Sequence, residues 1–289
     1  MRVDMAVNRY DTMVRYDGSR PAGKSVARSS MRFLSYNLRN AGIREEAVSS
    51  TWGYRRDAVV DLITRENPDV LALQEDSSEQ LDYVRNALKE SHSVCLDPAF
   101  YEADRAYNAI LVRKTLKVAG AGAFWICGNG QTQSKTDGSI CFRHATFIRL
   151  QKPLASLLVV NVHLDHTEDA AVKQTEMKTF IDLLGGIAGV PPTKTIVMGD
   201  FNNVPTMEPH FLLEKFGMRD AAQLQGSEGG TFSCWTRGSP SDRIDYIWLS
   251  DDLTSALETY RVILGGYPRQ GGGLCYASDH AAVLAQFDF

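Results

Sequence analysis

The apolar residues of this chain fall into short runs separated by polar segments, a pattern typical of proteins with several buried strands. A strand-like run over residues 31–36 comes first. The clearest buried strands follow it and are, in chain order, Val70–Leu73, Ala109–Val112, Leu157–Val162, Thr195–Met198 and Ile244–Leu249.

Two segments between these runs have helical periodicity. In the first, Val59, Leu62 and Ile63 share one helix face, and Asn67-Pro68 is expected to end the helix because the residue before proline disfavours helical angles. The second repeats the spacing, with Thr167 as the predicted N-cap and apolar residues at Met177, Phe180, Ile181 and Leu184. Strand–helix–strand order followed by closely spaced strands predicts a mixed α/β sandwich.

Residues 1–30 differ from the rest because they are polar and show no sustained periodicity. We therefore predict an N-terminal extension over 1–30 and a single domain over 31–289.

Gly18–Ser25 matches the P-loop pattern G-x-x-x-x-G-K-[ST]. A P-loop must follow a buried strand and open a helix, and only six residues separate Ser25 from Arg32, so we reject a nucleotide loop here.

Composition places the chain among ordinary globular proteins, since 44% of its residues are apolar and 23% are charged. Disordered, collagen-like and coiled-coil chains are thereby excluded. The formal net charge is -4, and residues 1–30 carry +3 of it, which leaves -7 on residues 31–289. This balance disfavours a non-specific nucleic-acid binder, although a local basic groove stays open as an alternative.

The remaining compositional signals concern the compartment. The five cysteines contain no C-x-x-C pair, so neither a disulfide framework nor a zinc cluster is predicted. The first residues lack an apolar core of signal-peptide length, and no stretch approaches the roughly 20 apolar residues of a membrane span. We expect a soluble, cytoplasmic protein. Oligomeric state is not predicted.

Polar residues recur where the apolar strands begin or end, which is where α/β proteins place their sites. Each is a weak signal alone, but together and in this order they form a specific set. The set comprises Ser35-Tyr36-Asn37, Leu73-Gln74-Glu75, Asn161-Val162-His163-Leu164-Asp165-His166, Met198-Gly199-Asp200-Phe201-Asn202, Arg243-Ile244-Asp245-Tyr246 and Ser278-Asp279-His280.

At these residues the sequence resembles the endonuclease/exonuclease/phosphatase (DNase-like) superfamily, from about Met31 to Phe289. The resemblance implies a four-layer α/β sandwich in which two packed mixed β-sheets are flanked by helices. It also implies a metal set of Asn37, Glu75 and Asp279. These ligands are all oxygens, which suits Mg²⁺, with Mn²⁺ as an alternative. A nearby arginine that neutralises the carboxylates is the competing interpretation.

The same resemblance implies catalytic roles. His280 would bond to Asp245, His163 and Asn202 would donate to phosphoryl oxygens, and Asp200 would orient or deprotonate the attacking water. The general base stays open between Asp200 and the His280–Asp245 pair.

Two further residues are candidate substrate contacts. Arg143 falls where relatives with a similar His163-Leu-Asp-His166 segment carry a phosphate-facing arginine, and the alternative is a solvated surface side chain. Asn108 is predicted to line the pocket. Within the His-Leu-Asp-His segment, Asp165 and His166 are expected to shape the loop by hydrogen bonds.

The motif residues also favour one branch of the family. Gly199-Asp-Phe-Asn-Asn-Val-Pro205 differs from the inositol phosphatase pattern, and Gly230-Thr-Phe232 matches small-molecule phosphatases or phosphodiesterases. The leading hypothesis is a Mg²⁺-dependent phosphoesterase that acts on a small phosphorylated metabolite. The alternative is a nuclease or nucleic-acid phosphodiesterase. A catalytically silent interaction module is disfavoured because no motif residue is missing.

Overall fold

The computed structural model describes residues 30–95, 107–151, 156–227, 229–233, 235, 241–268 and 274–289, and these ranges contain fourteen strands. The P-loop-like segment and all but the last residue of the predicted extension lie outside these ranges. The strands are β1 (Ser30–Asn37), β2 (Val70–Gln74), β3 (His92–Cys95), β4 (Ile110–Arg113), β5 (Val118–Trp125), β6 (His144–Leu150), β7 (Leu157–His163), β8 (Thr195–Asp200), β9 (Met218–Asp220), β10 (Asp245–Ser250), β11 (Leu257–Ile263), β12 (Gly266–Pro268), β13 (Leu274–Tyr276) and β14 (Ala282–Asp288).

The helices lie between these strands. They are α1 (Trp52–Glu66), α2 (Ser78–Ala87), α3 (Ala170–Ala188), α4 (Glu208–Phe216) and α5 (Ala221–Leu224), with 3-10 turns at Val48–Ser50 and Asp251–Ala256. None of the described helices is long and apolar enough to cross a membrane. No disulfide joins the cysteines of the described ranges.

The strands form two mixed six-stranded sheets and one small ribbon. The first sheet has the order β11-β14-β1-β2-β4-β3, the second has the order β5-β6-β7-β8-β10-β9, and β12 pairs with β13. The resemblance is confirmed at this level, because two packed mixed sheets flanked by helices are the predicted architecture.

Side-chain alternation along the strands explains the four layers, since successive residues of a strand point to opposite faces. In β1, Phe33 faces the second sheet, whereas Leu34 packs with the helices on the other side. In β7, Val159 faces the first sheet and Val160 packs under α3 and α4. Both faces of each central strand are therefore buried, which is why these strands read as continuous apolar runs.

The strand directions bring the polar ends together. β1 runs parallel to β2, and β7 runs parallel to β8, so the carboxyl ends of these strands lie at one edge of each sheet. β10 is antiparallel to β8, and β14 is antiparallel to β1, so their amino ends lie at the same edges. Every predicted motif therefore reaches one rim of the sandwich.

The two predicted helices are present, with one correction. The first ends at Glu66, where Asn67 adopts a left-handed conformation before the proline. The second begins at Ala170, and its N-cap is Asp169 rather than the predicted Thr167. The Asp169 carboxylate accepts the backbone N–H groups of Ala171 and Val172, while the Thr167 hydroxyl accepts the N–H of Asp169 one step earlier.

Candidate active site

The first sheet contributes the residues that were predicted to bind metal. Asn37 is the last residue of β1 and Glu75 follows β2 directly, while Asp279 precedes β14. The Asn37 Nδ2 group donates to Glu75 Oε1 at 3.2 Å, and the Asn37 Oδ1 atom accepts the backbone N–H of Arg39 at 2.9 Å. The Ser278 hydroxyl donates to the Asn37 carbonyl at 2.7 Å, which ties the loop before β14 to the end of β1.

The second sheet contributes a compact group around Asp200. His163 is the parallel partner of Asp200 on β7, and Asp245 is its antiparallel partner on β10. The His163 Nε2 atom lies 3.5 Å from Asp200 Oδ2. Because β8 is flanked by both of these strands, sheet pairing alone fixes three functional side chains side by side.

Two residues join the halves of the site. Asn37 Nδ2 donates to Asp200 Oδ2 at 2.9 Å, so an amide of the first sheet reaches a carboxylate of the second. His280 Nδ1 lies 2.9 Å from Asp245 Oδ2, and its Nε2 lies 3.8 Å from Asp200 Oδ2. The structure thus brings four side chains, those of Asn37, His163, Asp245 and His280, around the buried carboxylate of Asp200.

The electrostatic environment separates the two histidines. Burial disfavours the charged form of His280, but the carboxylates of Asp245 and Asp200 outweigh it and raise the pKa of His280 well above its usual value. Burial lowers the pKa of His163 far below its usual value, and the charges of Arg143 and His280 act in the same direction. These opposite shifts favour the protonated ring at His280 and the neutral ring at His163, so the two side chains differ in the hydrogen bonds they can make.

The carboxylates differ as well. Burial and the charge of Asp245 raise the pKa of Asp200 to about 7, although His280 opposes the shift. Burial alone would raise the pKa of Glu75, but the N–H of Asn40 at 2.8 Å, the charge of His280 and the Asn37 amide together lower it. Burial also raises the pKa of Asp279, an effect that His280 and Arg39 reduce and Glu75 increases.

These carboxylates fit a divalent cation. Asp200, Asp245 and His280 offer ligand atoms within 4.8 Å of one another, a group that differs from the predicted metal set of Asn37, Glu75 and Asp279. Asp245 Oδ1 is buried and has no hydrogen-bond partner among the described atoms, so one acceptor remains for a ligand. Arg39 Nη1 lies 3.6 Å from Asp279 Oδ2, so an arginine offsets part of the charge in the first half of the site.

Three of the predicted site residues have an uncommon backbone conformation. Glu75, Asn108 and Asn202 all have positive φ values, 57°, 46° and 50°. Non-glycine residues seldom adopt this region, and such residues cluster at active sites where surrounding contacts hold them. For Asn202 those contacts are its N–H to Asp200 Oδ1 at 2.8 Å and its Nδ2 to the Leu164 carbonyl at 2.9 Å.

Of the two candidate substrate residues, Arg143 is near enough to His163 for its charge to lower the pKa of that histidine. Arg143 is buried, with 8% of its surface exposed; its Nη2 contacts His166 Nδ1 at 3.0 Å and its Nε lies 3.5 Å from Asp165. The Asp165 carboxylate also accepts the N–H groups of Ile140, Cys141 and Thr167, which holds the loop that carries Arg143. Asn108 donates to the His144 carbonyl at 3.0 Å, and its Oδ1 is buried without a described partner.

Sequence interpretation missed a polar layer beneath the site. Gln74 Nε2 donates to Asn161 Oδ1 at 2.7 Å, and the Asn161 amide donates to the Leu73 carbonyl, so β2 and β7 are joined across the sheets. The two-residue period could have revealed this layer. The inward positions of β7 are Leu157, Val159, Asn161 and His163, and they change from apolar to polar at Asn161, two residues before His163.

The contact between Phe232 and His280 was also not predicted. The Phe232 ring centroid lies 4.8 Å from that of His280, and the two residues form an isolated β-bridge. Trp235, which follows in the same loop, packs under the Arg55 guanidinium at 5.5 Å. The Gly230-Thr-Phe232 motif marks this residue but not its contact, because the partner lies 48 residues further along the chain.

Carboxylates that can hold a cation, next to imidazole and amide donors, are the groups that phosphoester hydrolases use. The two packed sheets place the chain in the DNase-like class of these enzymes. The family model described as "Endonuclease/Exonuclease/phosphatase family" matches residues 34–280, and the chain belongs to that family. Members of this family are phosphoesterases, and their activity is typically metal-dependent.

Solved structures agree with this assignment at the level of the fold. A family protein of Bacteroides thetaiotaomicron is 22% identical and has a TM-score of 0.78, covering 91% of this chain and 99% of its own. A mannosyl-6-phosphatase of the same organism is 21% identical with a TM-score of 0.75, covering 90% and 100%. A truncated Caenorhabditis elegans TDP2 is 20% identical with a TM-score of 0.66, covering 90% and 98%. A comparison with curated protein sequences gives no match.

Proposed function

We propose that this protein is a Mg²⁺-dependent phosphoesterase that hydrolyses a phosphate ester of a small phosphorylated metabolite. The observation that carries the proposal is the convergence of Glu75, Asp200, Asp245 and Asp279 on one rim with His280 among them. Such a concentration of buried carboxylates is costly unless cations compensate it. His280 and Arg39 offset only part of this negative charge, so a bound metal ion would complete the compensation.

The oxygen ligands Glu75 and Asp279, with Asn37 beside them, would hold the ion in the proposed site. Hard oxygen donors and a need for open positions suit Mg²⁺, with Mn²⁺ as the alternative. When bound, the ion would polarise the scissile phosphate and stabilise the leaving oxygen. Arg39 would remain close enough to Asp279 to moderate its charge.

The chain's own residues would perform the remaining steps. Asp200 would orient the attacking water and accept its proton, since it is the carboxylate placed between His163 and His280. His280 is held as an imidazolium by Asp245, which suits stabilisation of charge more than proton abstraction. His163 and Asn202 would donate to phosphoryl oxygens as negative charge builds in the transition state.

The substrate class follows from charge and from one relative. Residues 31–289 carry a net -7, so a polyanion would meet an unfavourable field outside the site. A compact phosphate ester needs only the metal and the few donors of the site. The mannosyl-6-phosphatase among the similar structures makes sugar phosphates the first compounds to test.

We expect hydrolysis of p-nitrophenyl phosphate or bis(p-nitrophenyl) phosphate with Mg²⁺ to stop on addition of EDTA and to return with excess Mg²⁺. Glu75→Gln should raise the Mg²⁺ concentration needed for half-maximal rate by about tenfold or more. Even the loss of a residue that only orients a metal ligand typically lowers metal affinity by about 10- to 100-fold. Glu79→Gln, at an exposed position of α2, is the matched control. Undiminished activity in EDTA would contradict the metal assignment.

A substrate panel then separates the two candidate functions. Sugar phosphates, nucleotides, phospholipid head groups and short oligonucleotides are compared at equal Mg²⁺ concentration, by release of phosphate or of shortened product. We expect the highest kcat/KM on a small phosphate ester. Preferred cleavage of oligonucleotides would replace this proposal with a nuclease.

A further inference from the structure

One buried lysine next to the site has no role in the proposed chemistry. Lys173 lies in the first turn of α3 with 6% of its surface exposed, and its Nζ donates to the Asn202 carbonyl at 2.6 Å. Lysine is almost never buried to this extent without a partner, because its charge loses hydration. If Lys173 served only to anchor α3, its ammonium group would not need to reach the backbone of a site residue.

Asn202 needs such an anchor. Its φ of 50° is unfavourable for a residue with a side chain, and it lies in the loop directly after β8. Three of its polar groups are bound: the N–H to Asp200, the Nδ2 to Leu164 and the carbonyl to Lys173. An amide nitrogen carries two hydrogens, so the second hydrogen of Nδ2 remains for a phosphoryl oxygen.

The same face of α3 also supports the neighbouring loop. Glu176, one helical turn after Lys173, accepts the backbone N–H of Asp165 at 2.8 Å and is 2% exposed. Leu164, whose carbonyl receives the Asn202 amide, is therefore held between α3 and the Asn202 loop. α3 thus contacts both loops that carry predicted phosphoryl donors.

We propose that Lys173 is a positioning residue that sets the orientation of the Asn202 side chain toward the transferred phosphoryl group; this rests on the proposed phosphoesterase function. Lys173 acts only through the carbonyl of Asn202 and does not touch substrate. Loss of the ammonium lets the strained Asn202 backbone relax, and its amide leaves the position in which it stabilises the transition state.

The test compares Lys173→Met, Lys173→Arg, Asn202→Ala and the Lys173→Met/Asn202→Ala double variant, with Lys178→Met on the exposed face of α3 as the matched control. Rates are measured on bis(p-nitrophenyl) phosphate and p-nitrophenyl phosphate with Mg²⁺, and folding is followed by thermal denaturation. Lys173→Met should lower kcat about 10- to 100-fold with KM changed less than about threefold, since the interaction is realised in the transition state.

The double variant distinguishes positioning from general support. If Lys173 acts through Asn202, Lys173→Met should lower kcat by less than about twofold further once Asn202 is alanine, because the two effects share one interaction. Losses that multiply in the double variant would overturn the proposal, as would a kcat of Lys173→Met within twofold of the wild type. If Lys173→Met does not fold, Lys173→Arg, which keeps a cationic donor of different shape, takes its place in the cycle.

A measurement without turnover separates this inference from the proposed function. The Asn202 side-chain amide signal in a ¹H–¹⁵N spectrum is assigned by its loss in Asn202→Ala. It should shift in Lys173→Arg and stay in place in Lys178→Met. A wild type that is inactive on every ester would refute the function, while an unmoved Asn202 signal would refute the positioning role.

Discussion

At the scale of single residues, burial and neighbouring charges separate the carboxylates of the site. Glu75 and Asp200 each accept a backbone N–H and the Asn37 amide, yet their pKa values move in opposite directions. Asp200 is buried and lies beside the like charge of Asp245, and both effects raise its pKa, whereas at Glu75 the N–H of Asn40, the charge of His280 and the Asn37 amide outweigh the effect of burial. Surroundings, and not residue type, thus separate the proposed metal ligand Glu75 from Asp200, whose pKa is raised to about 7.

The roles of the central pair give a direct prediction. His280→Ala and Asp200→Ala should each lower kcat by about 10³-fold or more, because each removes a group that contacts the reacting atoms. His92→Ala is the matched control, since His92 is a buried histidine outside the site. Its Nε2 atom lies 2.9 Å from the Pro68 carbonyl oxygen. This variant should lower the midpoint of thermal unfolding while the specific activity of the folded protein is kept. Near-normal turnover of either site variant would show that the role does not apply at that position.

Glu176 yields a prediction about stability and pH. Burial raises the pKa of Glu176 from 4.5 to about 7. A raised folded-state pKa favours the neutral form, so its contribution to stability is full below about pH 4.5 and is lost as pH rises through 7. Glu176→Gln should therefore be more stable than the wild type at pH 8, by up to about 3 kcal/mol, and not at pH 4.5. Urea unfolding at both pH values measures this difference, and an equal effect of the substitution at the two would contradict it.

At the scale of elements, the close approach of β7 and β8 fixes the site. Gly199 pairs with Val162, one position before the His163–Asp200 pair, and its φ is 151°. A Cβ atom at Gly199 would lie 1.8 Å from the Val162 carbonyl oxygen. Only glycine permits this spacing, so the motif Gly-Asp-Phe-Asn begins with a steric requirement rather than a chemical one.

Gly199→Ala should accordingly destabilise the protein by about 3 kcal/mol or more, because backbone must move to relieve the contact. Thermal unfolding and soluble yield report the loss. Gly120→Ala on β5, where an added Cβ meets nothing within 4 Å, is the control and should leave both nearly unchanged. Equal stability of the two variants would show that β7 and β8 separate without cost.

The elements also show what sequence could predict. The runs Leu157–Val162 and Thr195–Met198 predicted β7 and β8 to within two residues, because strands buried on both faces are continuously apolar. The site residues at strand ends could be predicted because a polar side chain directly after an apolar run can be recognised from neighbouring residues alone. The Lys173–Asn202 contact, the Phe232–His280 contact and the bridging role of Asn161 were not predicted, because each depends on a partner at least 29 residues away whose distance only the fold determines.

At the scale of the whole molecule, charge and site work together. The net negative charge of residues 31–289 disfavours long anionic ligands, so in the proposed function a few groups at the rim attract the phosphate. Arg143 is a buried cation that we propose for this role, and its guanidinium contacts Asp165 and His166. Recognition by so few charges depends little on bulk salt, in contrast to binding along a nucleic-acid backbone.

The salt dependence of KM tests this distribution. Between 50 and 200 mM NaCl at fixed Mg²⁺, KM for a small phosphate ester should change less than about threefold, because few counterions are released. A protein that uses several phosphate contacts along an oligonucleotide would lose affinity by about 10³-fold over the same range. A steep rise of KM for a short oligonucleotide, together with its efficient cleavage, would favour the nuclease alternative.

The position of β14 has a consequence for when activity can arise. This strand follows every other element in the described chain, yet it lies inside the first sheet between β11 and β1. The segment that leads into it carries Asp279 and His280, so these two proposed site residues reach the rim only when β14 pairs with β1. A chain still emerging from the ribosome should therefore stay inactive until β14 is in place, because the proposed site lacks both residues before then.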